Sequence, residues 1–402
     1  MSQNNLNIII LKGYDPTHAV YQINGDYSLV GTAMSNKVKL LNTPKKSEWS
    51  TILFKLHGGF RENNNQKILN ASCLYDIPKS WIKIINDKKC QIVIDTTVES
   101  WSPSYGDPII RGEEEVNLHE IATYVSLELG IDPNQITWVT SDLNAERYFK
   151  DYEGINVKSH CMFYFLSQST LQSTIIKDMV TDVFDQMSLC MMRDTAKTHR
   201  MYSIYKIFEE DIQTHIIRTT SAKCLYGRTV CDNYVSLYEH CYDNKIQVPF
   251  DWKNMRSHIL EYYSGCPHEI ENDDVDEALR RTLISLVSES YATGKKLFIT
   301  YSTFRAILAR RPFLFIANKG ILQQLKTWGF KTYSDIFDES YDEIEDVYER
   351  TDHIFETIKK ISESDWDDIY RKSAEVAQYN YEHFLKTTDD SQNNYIAIFE
   401  KR

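Results

Sequence analysis

A run of hydroxyl side chains precedes a predicted helix in the second half of the chain, and an arginine follows it. The run consists of Thr300, Tyr301, Ser302 and Thr303, and Arg305 comes shortly after it. Helix N-termini carry unsatisfied N–H groups and a partial positive charge, so they bind phosphate readily. Arg305, predicted within the first turn, adds a bidentate contact to phosphate oxygens. From the residues alone, the favoured interpretation is that Thr300 or Ser302 only caps the helix, and phosphate binding is the alternative.

The elements around this junction alternate between strands and helices. An apolar run at 283–287 ends at Ser-Glu-Ser with Glu289 in its centre, as a buried strand does at a polar edge. The helix after the hydroxyl run ends before Pro312, and the residues 313–316 predict the next strand. A second short helix closes at Gly329. This order predicts part of a parallel α/β sheet.

A second cationic junction lies upstream. The residues 188–192 predict a strand, and Arg193, His199 and Arg200 follow its end. Cationic side chains at a strand-to-helix junction suit a pyrophosphate. The alternative is that Arg200 is an exposed helix residue and His199 a polar core residue.

Both junctions resemble the C-terminal half of a family of GT-B-like glycosyltransferases and related proteins of phages and bacteria. In that family a strand ending in Ser/Thr-Glu precedes Thr-Glu-Lys-Thr-Phe-Lys/Arg-x-Ile, Pro-Phe-Ile, Leu-x-x-Leu-x-x-x-Gly-Phe-x-Thr-Phe and Asp-Glu-Ser-Tyr-Asp. The matching segments of this chain are SES at 288–290, ITYSTFR at 299–305, PFL at 312–314, the residues 322–333, DESYD at 338–342 and CMMRDTAKTHR at 190–200. Together they cover roughly a third of the chain. The likeness is fairly specific for the fold and weak for the substrate.

The resemblance implies two Rossmann-like α/β domains with a cleft between them. It implies an N-terminal acceptor domain at 1–175 and a C-terminal nucleotide-sugar donor domain at 176–402, which ends in a helical segment. The implied donor-binding residues are Arg193, His199, Arg200, Glu289, Thr300, Tyr301, Ser302, Thr303 and Arg305. The implied reaction needs no metal and no cofactor, because the nucleotide-sugar is the substrate and helix dipoles and cations stabilise the leaving diphosphate.

One departure from the family pattern stands at the centre of the motif. Tyr301 and Ser302 occupy the positions where the family usually has Glu-Lys. The departure removes a carboxylate and a cation that are expected near the donor nucleotide. A non-catalytic binding or structural protein that retains the fold therefore stays as an alternative, and so does an enzyme that glycosylates modified bases in phage DNA.

The first half of the chain also alternates between predicted strands and helices. The predicted strands are 8–11, 51–56, 91–94, 136–139 and 161–166, and the predicted helices lie around 118–129 and 144–152. This order predicts a doubly wound parallel sheet, in which ligands sit at the carboxyl ends of the strands. Polar residues that follow the strands, His57, Asp95, Glu99 and Asp142, are candidates for the base that takes the acceptor's proton. Asp142 has the alternative of capping the next helix, Asp95 that of hydrogen-bonding a neighbouring loop, and His57 that of lying in a tight turn.

Composition narrows the possible classes of protein. The chain has 402 residues, 42% of them hydrophobic, and a formal net charge of −12, which argues mildly against a duplex DNA partner. No glycine-rich dinucleotide fingerprint, P-loop or nucleophile elbow follows any predicted strand. Eight scattered cysteines and an N-terminus without signal-peptide features predict a cytoplasmic protein, in the host cytoplasm if it is viral. No run is long enough for a membrane span.

The residues 221–270 combine cysteines and histidines with many tyrosines and asparagines. Their cysteine spacing fits no common zinc site, so we expect apolar cysteines and no metal. The segment is interpreted as a lid or insertion that touches substrate. The expected partners are thus a nucleotide-sugar and an acceptor, which is a small molecule, a glycan or modified DNA, without a membrane. The sequence does not define the oligomeric state.

Overall fold

In a computed structural model, the contacts of the chain divide it into two units. The described residues are 6–9, 38–41, 44, 49–55, 77–97, 102–103, 115–116, 118–164, 167, 184, 186–192, 197–212, 214–218, 237–239, 241–243, 245, 247–257, 279 and 281–400. The first unit comprises Met1–Leu166 and Thr388–Arg402, and the second comprises Ser167–Thr387. Contacts thus assign the last residues to the first unit, whereas the predicted domains, 1–175 and 176–402, assign them to the second.

A parallel sheet forms the centre of the first unit. The strands of this unit are β1 (Leu6–Ile9), β2 (Val38–Leu41), β3 (Ser50–Lys55), β4 (Cys90–Asp95), β5 (Ser102–Pro103), β6 (Glu115–Val116), β7 (Ile136–Thr140) and β8 (Asn156–Ser159). Six of them form the sheet in the order β2-β1-β3-β4-β7-β8, while β5 and β6 pair separately. Every residue of β4 and β7 is buried, as expected for inner strands of a sheet covered on both faces.

The helices described in the first unit pack an apolar face on this sheet. They are α1 (Lys79–Asn86), α2 (Leu118–Leu129) and α3 (Ala145–Tyr148). The apolar spacing at Leu118, Ile121 and Val125 predicts α2 correctly, and these three side chains are buried.

One predicted strand of the first unit is wrong. The residues 162–164 are helical, although 161–166 was predicted to be a strand, and the strand β8 lies just before this run. A short buried apolar run satisfies the pattern of a strand and that of a helix equally well, so periodicity does not separate them. The predicted helix at 144–152 is also shorter, because α3 covers four residues.

The second unit contains another parallel sheet. Its described strands are β9 (Gln186–Met192), β10 (Thr214–Arg218), β11 (Thr282–Ser288) and β12 (Phe313–Ile316), in the order β10-β9-β11-β12. Its helices include α4 (Thr198–Glu209), α5 (Tyr301–Leu308), α6 (Ile321–Thr327), α7 (Val347–Ser362) and α8 (Trp366–Ala397). The predicted strands at 188–192, 283–287 and 313–316 are all confirmed. The fold class is therefore α/β with a parallel sheet in each of two units.

The last helix, α8, begins in the second unit and ends in the first. In its first part, Asn380 exchanges hydrogen bonds with the backbone of Lys331, and His383 contacts the carbonyl oxygen of Trp328. In its last part, Tyr395 belongs to the first unit. The helix therefore contributes packing surface to both units.

Gly329, which follows α6, offers a sharp test of this packing. Its φ is +89°, and a Cβ there would lie 2.8 Å from the imidazole of His383. We expect Gly329→Ala to lower the free energy of unfolding by about 2–4 kcal/mol, because left-handed strain and a clash add together. Gly320 also has a positive φ of +85°, but a Cβ there meets no atom within 4 Å. Gly320→Ala should lower the free energy of unfolding by only about 1–2 kcal/mol. Both variants are measured by urea titration. Equal losses would contradict the close approach of His383.

Candidate functional site

The two central strands of the second sheet, β9 and β11, define a crevice. They are parallel neighbours, and the chain leaves β9 towards β10 on one side before it returns to β11 on the other. In open α/β sheets with this order, the connections after the two strands diverge and leave a ligand-binding crevice at their carboxyl ends. Helices α4 and α5 both begin at this edge. The residues that follow β9 and β11 therefore form the candidate site.

Glu289 directly follows β11, and its carboxylate lies at the N-terminus of α5. Oε1 accepts hydrogen bonds from the backbone N–H of Thr300 at 3.0 Å and from the hydroxyl of Thr303 at 2.5 Å. Oε2 is buried and receives no hydrogen bond from any residue that the structure describes. Burial raises the pKa of Glu289, while its hydrogen bonds and the charge of Arg200 oppose the rise. A buried carboxylate oxygen without a donor is costly, so a water molecule, a proton or a ligand donor is expected at Oε2.

This carboxylate stands at the helix N-terminus where the sequence predicts phosphate. The positive end of α5 already stabilises the negative charge of Glu289, and a second anion at the same position would be repelled by it. Thr300 is the N-cap of α5, because its Oγ1 accepts a hydrogen bond from the N–H of Ser302 at 3.3 Å. Tyr301 and Ser302 are half-buried. The capping alternative thus describes Thr300, and Thr303 serves to hold Glu289; nucleotide contacts by these four residues stay a prediction.

The structure corrects the position of Arg305. The sequence places it in the first turn of its helix, but α5 ends at Leu308 and Arg305 lies in the last turn. Its carbonyl oxygen accepts a hydrogen bond from the N–H of Ala309 at 2.8 Å. A cation in the last turn stabilises the helix itself through the helix dipole. A role of Arg305 in nucleotide binding stays a prediction.

The first turn of α4 brings an imidazole and a guanidinium against the end of β11. His199 Nε2 lies 3.1 Å from the carbonyl oxygen of Glu289. Arg200 Nη2 donates to the carbonyl oxygens of Ser288 at 3.2 Å and Glu289 at 2.9 Å. Both side chains are buried, so Arg200 is not the exposed residue of the alternative interpretation. Burial, together with the charges of Arg200 and Lys197, lowers the pKa of His199 well below its ordinary value, so the imidazole is neutral.

A further basic group at this edge was not singled out by the sequence analysis. Lys197 donates to the carbonyl oxygen of Ser290, and its Nζ lies 4.2 Å from the ring centre of Tyr291. Lys296 Nζ lies 5.2 Å from the centre of the same ring. Helix α4 has no acidic residue in its first turn and no side-chain cap. Positive charge gathered at a helix N-terminus is unfavourable without an anion. The signal in the sequence was a pair of lysines after Gly294, in the loop that follows β11.

In the first unit, the carboxylate of Asp95 is engaged at both oxygens. Oδ1 accepts hydrogen bonds from the N–H of Thr97 at 2.9 Å and from its hydroxyl at 2.6 Å. Oδ2 accepts one from the hydroxyl of Tyr395, which lies near the end of α8. A general base must reach the acceptor's proton, whereas this carboxylate is buried and holds the C-terminal segment. Its catalytic role stays a prediction.

Asp142 follows β7 and shapes a local turn. Its Oδ1 accepts a hydrogen bond from the N–H of Asn144 at 3.1 Å, just before α3. Its own N–H donates to the hydroxyl of Thr140 at 3.1 Å. This geometry matches the capping alternative, and catalysis by Asp142 stays a prediction.

Three of the predicted site residues, His57, Glu99 and Arg193, lie outside the described residues. Within the described part, no group of three or more His, Cys, Asp or Glu side chains is gathered closely enough to hold a metal ion. From the predicted insertion at 221–270, Cys241 is described and is buried, and burial raises its pKa. Among the helices in the described ranges, none combines the length and the apolarity that a membrane span requires.

Comparison with known proteins found likeness in solved structures alone. No protein-family model matches the chain, and comparison with curated sequences found no match. One similar structure is a DNA-modifying β-glucosyltransferase, determined in the presence and absence of its substrate uridine diphosphoglucose. It is 10% identical with a TM-score of 0.40, over 98% of this chain and 99% of that chain. Another is an α1,3-fucosyltransferase, 11% identical with a TM-score of 0.33, over 97% of this chain and 91% of that chain.

Proposed function

We propose that this chain is a glycosyltransferase whose nucleotide-sugar donor binds at the β9–β11 edge of the second unit. The proposal depends above all on the buried Oε2 of Glu289, at a sheet edge where Lys197 and Arg200 donate hydrogen bonds to backbone carbonyls. A nucleotide-sugar offers both matching parts, a diphosphate and the hydroxyls of its ribose and sugar. The motif resemblance of 288–342 to GT-B-like glycosyltransferases supports the same assignment.

The diphosphate is proposed to bind on the α4 side of the crevice. Lys197 and the N–H groups of the first turn of α4 supply positive charge there, and Arg193 belongs to the same proposed group. The α5 side already holds the carboxylate of Glu289 at its N-terminus. Cations and a helix dipole stabilise the diphosphate as it leaves, which is the chemistry that transfer requires.

The hydroxyl groups of the donor are proposed to face Glu289. An ionised carboxylate oxygen accepts strong hydrogen bonds from hydroxyl donors. Oε2 is proposed to accept such a bond, because no described residue donates one to it. Its partner oxygen is fixed by Thr300 and Thr303, so the carboxylate is held in one orientation before the ligand arrives. Such pre-organisation lowers the entropy cost of binding.

The acceptor side is proposed to lie with the polar residues that end the strands of the first sheet. Asp95, Glu99 and Asp142 remain the proposed bases, each of them at or after a strand of that sheet. The acceptor is a small molecule, a glycan or modified DNA. The net charge of −12 favours a neutral acceptor over a polyanion.

Nucleoside diphosphates should stabilise the protein against heat. UDP, GDP and ADP form the panel, and the preferred one should raise the free energy of unfolding by about 2.7 kcal/mol at a hundred times its dissociation constant. Lys197→Ala should lower the affinity for that nucleotide roughly tenfold, because a charge-assisted contact is lost. Lys319→Ala, which removes a lysine paired with Glu345 elsewhere in the unit, is the matched control and should bind normally.

Two outcomes would count against the proposal. If no nucleotide or nucleotide-sugar shifts the melting temperature, the non-catalytic binding or structural protein becomes the better interpretation. If Lys319→Ala weakens binding as much as Lys197→Ala, the nucleotide does not bind at the β9–β11 edge.

A further inference from the structure

A row of aromatic rings runs from the core of the second unit to its surface. Tyr202 on α4 is buried and stacks on Phe250, with ring centroids 6.2 Å apart and planes inclined by 20°. Trp252 stands edge-on to Phe250 at 5.0 Å and to Tyr238 at 5.3 Å. Tyr238 in turn stacks on Tyr242 at 6.2 Å. Each ring thus contacts the next, and the last two are 42% and 74% exposed.

Buried side chains on a neighbouring face hold the helical turn that carries the two exposed rings. Leu237 and Cys241 are buried, and Tyr238 and Tyr242 follow each of them by one position. Residues four apart lie above one another on a helix, so the apolar pair and the tyrosine pair form two separate faces. The tyrosines are therefore exposed on a turn whose neighbouring face is buried in the core.

This pair differs from the other exposed apolar side chains of the described residues. Those are Leu127, Tyr148, Tyr379 and Leu385. Single exposed apolar residues are ordinary and need no explanation. Tyr238 and Tyr242 instead lie in contact, and Trp252, itself half-buried, continues their surface. Clustered rings with few rotatable bonds are typical of binding surfaces.

The charges described in the segment that carries the exposed rings are balanced. The acidic side chains described between 237 and 257 are Glu239, Asp243 and Asp251, and the basic ones are Lys245, Lys253 and Arg256. Surfaces that stack the bases of nucleic acids combine their rings with a positively charged groove that follows the phosphates. A balanced surface on a chain of net charge −12 fits an uncharged ligand instead.

We propose that Tyr238, Tyr242 and Trp252 form a binding surface for a neutral oligosaccharide. One face of a sugar ring is made of C–H groups, so it packs on an aromatic ring, while the hydroxyls at its rim are hydrogen-bonded by water and by polar side chains. The two stacked tyrosines and the edge-on Trp252 present apolar area over more than one ring, which suits a chain of sugars rather than a single sugar. This surface is a separate site from the nucleotide-binding edge, and saccharide binding there does not depend on sugar transfer.

The test is a calorimetric titration of the full chain with maltohexaose, cellohexaose and chitohexaose. At least one of the three should bind the unaltered protein. Tyr242→Ala should lower the affinity for that saccharide roughly three- to tenfold, because one aromatic contact is lost. Tyr148→Ala is the matched control, since Tyr148 is a half-exposed tyrosine on α3 of the first unit. It should leave the affinity unchanged.

Three results would overturn the proposal. None of the saccharides binds; or Tyr148→Ala weakens binding as much as Tyr242→Ala; or an oligothymidylate binds more tightly than every saccharide and loses its affinity in Tyr242→Ala. The side chain of Tyr242 is largely exposed, so its variant should fold, which a matching melting curve verifies. Because no nucleotide is present in the titration, failure here is independent of failure at the β9–β11 edge.

Discussion

Glu289→Ala should destabilise the protein strongly, whereas Glu289→Gln should leave the protein folded and still lower its affinity for the nucleotide. The alanine variant removes the acceptor of the Thr300 N–H and of the Thr303 hydroxyl, and leaves both donors without their partner at the start of α5. Each buried group that loses its partner costs roughly 1–3 kcal/mol. We therefore expect the free energy of unfolding to fall by about 2–5 kcal/mol, measured by urea titration.

The glutamine variant separates the structural role from the ligand role. Its side-chain oxygen still accepts the hydrogen bonds that Oε1 of Glu289 accepts, but an NH₂ group replaces Oε2. An NH₂ group does not accept a hydrogen bond from a ligand hydroxyl. Nucleotide affinity should therefore fall by roughly ten- to a hundredfold with little change in stability. Glu345→Gln, at an exposed carboxylate of the same unit, is the control and should change neither quantity.

The unaltered protein and the Glu289→Gln variant should also differ in how their stability depends on pH. Burial raises the pKa of Glu289 above its ordinary value of 4.5, so the folded protein retains a proton that the unfolded chain has released. Stability is then highest below that ordinary value and falls as the pH rises through the window up to the folded-state pKa. Glu289→Gln carries no such proton, so its stability relative to the unaltered protein should increase across this window. An unchanged difference between the two unfolding curves at every pH would contradict the buried ionisable position.

Local sequence patterns were enough to predict many of the strands and helices. The strand predicted at 313–316 is β12 residue for residue, because a short β-branched and aromatic run is bounded by Pro312 and by polar residues. Helix α2 was predicted because its apolar residues repeat with the helical period. The parallel arrangement followed from the alternation of strands and helices. These features depend on neighbours in the sequence, which a single chain displays.

The contacts of the candidate site depend on distant residues, and the sequence did not show them. Glu289 was chosen because it follows a strand, but its partner Thr303 lies 14 residues away. The placement of Arg305 failed because α5 already begins at Tyr301, inside the hydroxyl run, and is only eight residues long. Asp342 lies in an acidic stretch of the sequence, yet it is buried, and its carboxylate accepts hydrogen bonds from the N–H groups of Leu322 and Gln323. In each case the residue type was recognised and the tertiary partner was not.

The C-terminal segment supplies the second large expected effect. Besides the bond from Tyr395 to Asp95, its backbone carbonyls accept hydrogen bonds from the first sheet. Thr51 Oγ1 donates to the carbonyl oxygen of Phe399 at 3.1 Å, and Gln91 Nε2 donates to that of Ile398 at 3.2 Å. The rings of Tyr395 and Phe399 are buried. The segment thus completes the first unit, although 300 residues separate Tyr395 from Asp95.

Tyr395→Phe should therefore lower the free energy of unfolding by about 1.5–3 kcal/mol, because it removes the donor to a buried carboxylate oxygen. Asp95→Asn should cost a similar amount. The ring of His160 lies 5.2 Å from that of Tyr395, and burial lowers the pKa of His160 to about 4. His160 is therefore neutral near pH 7, and it does not replace the missing donor by becoming charged.

The two substitutions together decide between a structural and a catalytic Asp95. If the carboxylate mainly holds Tyr395, the double variant should lose little more than either single variant, which corresponds to a coupling free energy of roughly 1–3 kcal/mol. Thr51→Val serves as a comparison, since it removes the bond to the carbonyl oxygen of Phe399 and the acceptor of Gln91 Nε2, and its coupling to Tyr395→Phe should be smaller than that of Asp95→Asn. If Asp95 is instead a base, Asp95→Asn should stop the release of nucleoside diphosphate from the donor while stability holds, and Tyr395→Phe should retain that release. A coupling free energy near zero together with an unchanged melting temperature in Asp95→Asn would contradict the structural role and return Asp95 to the catalytic candidates.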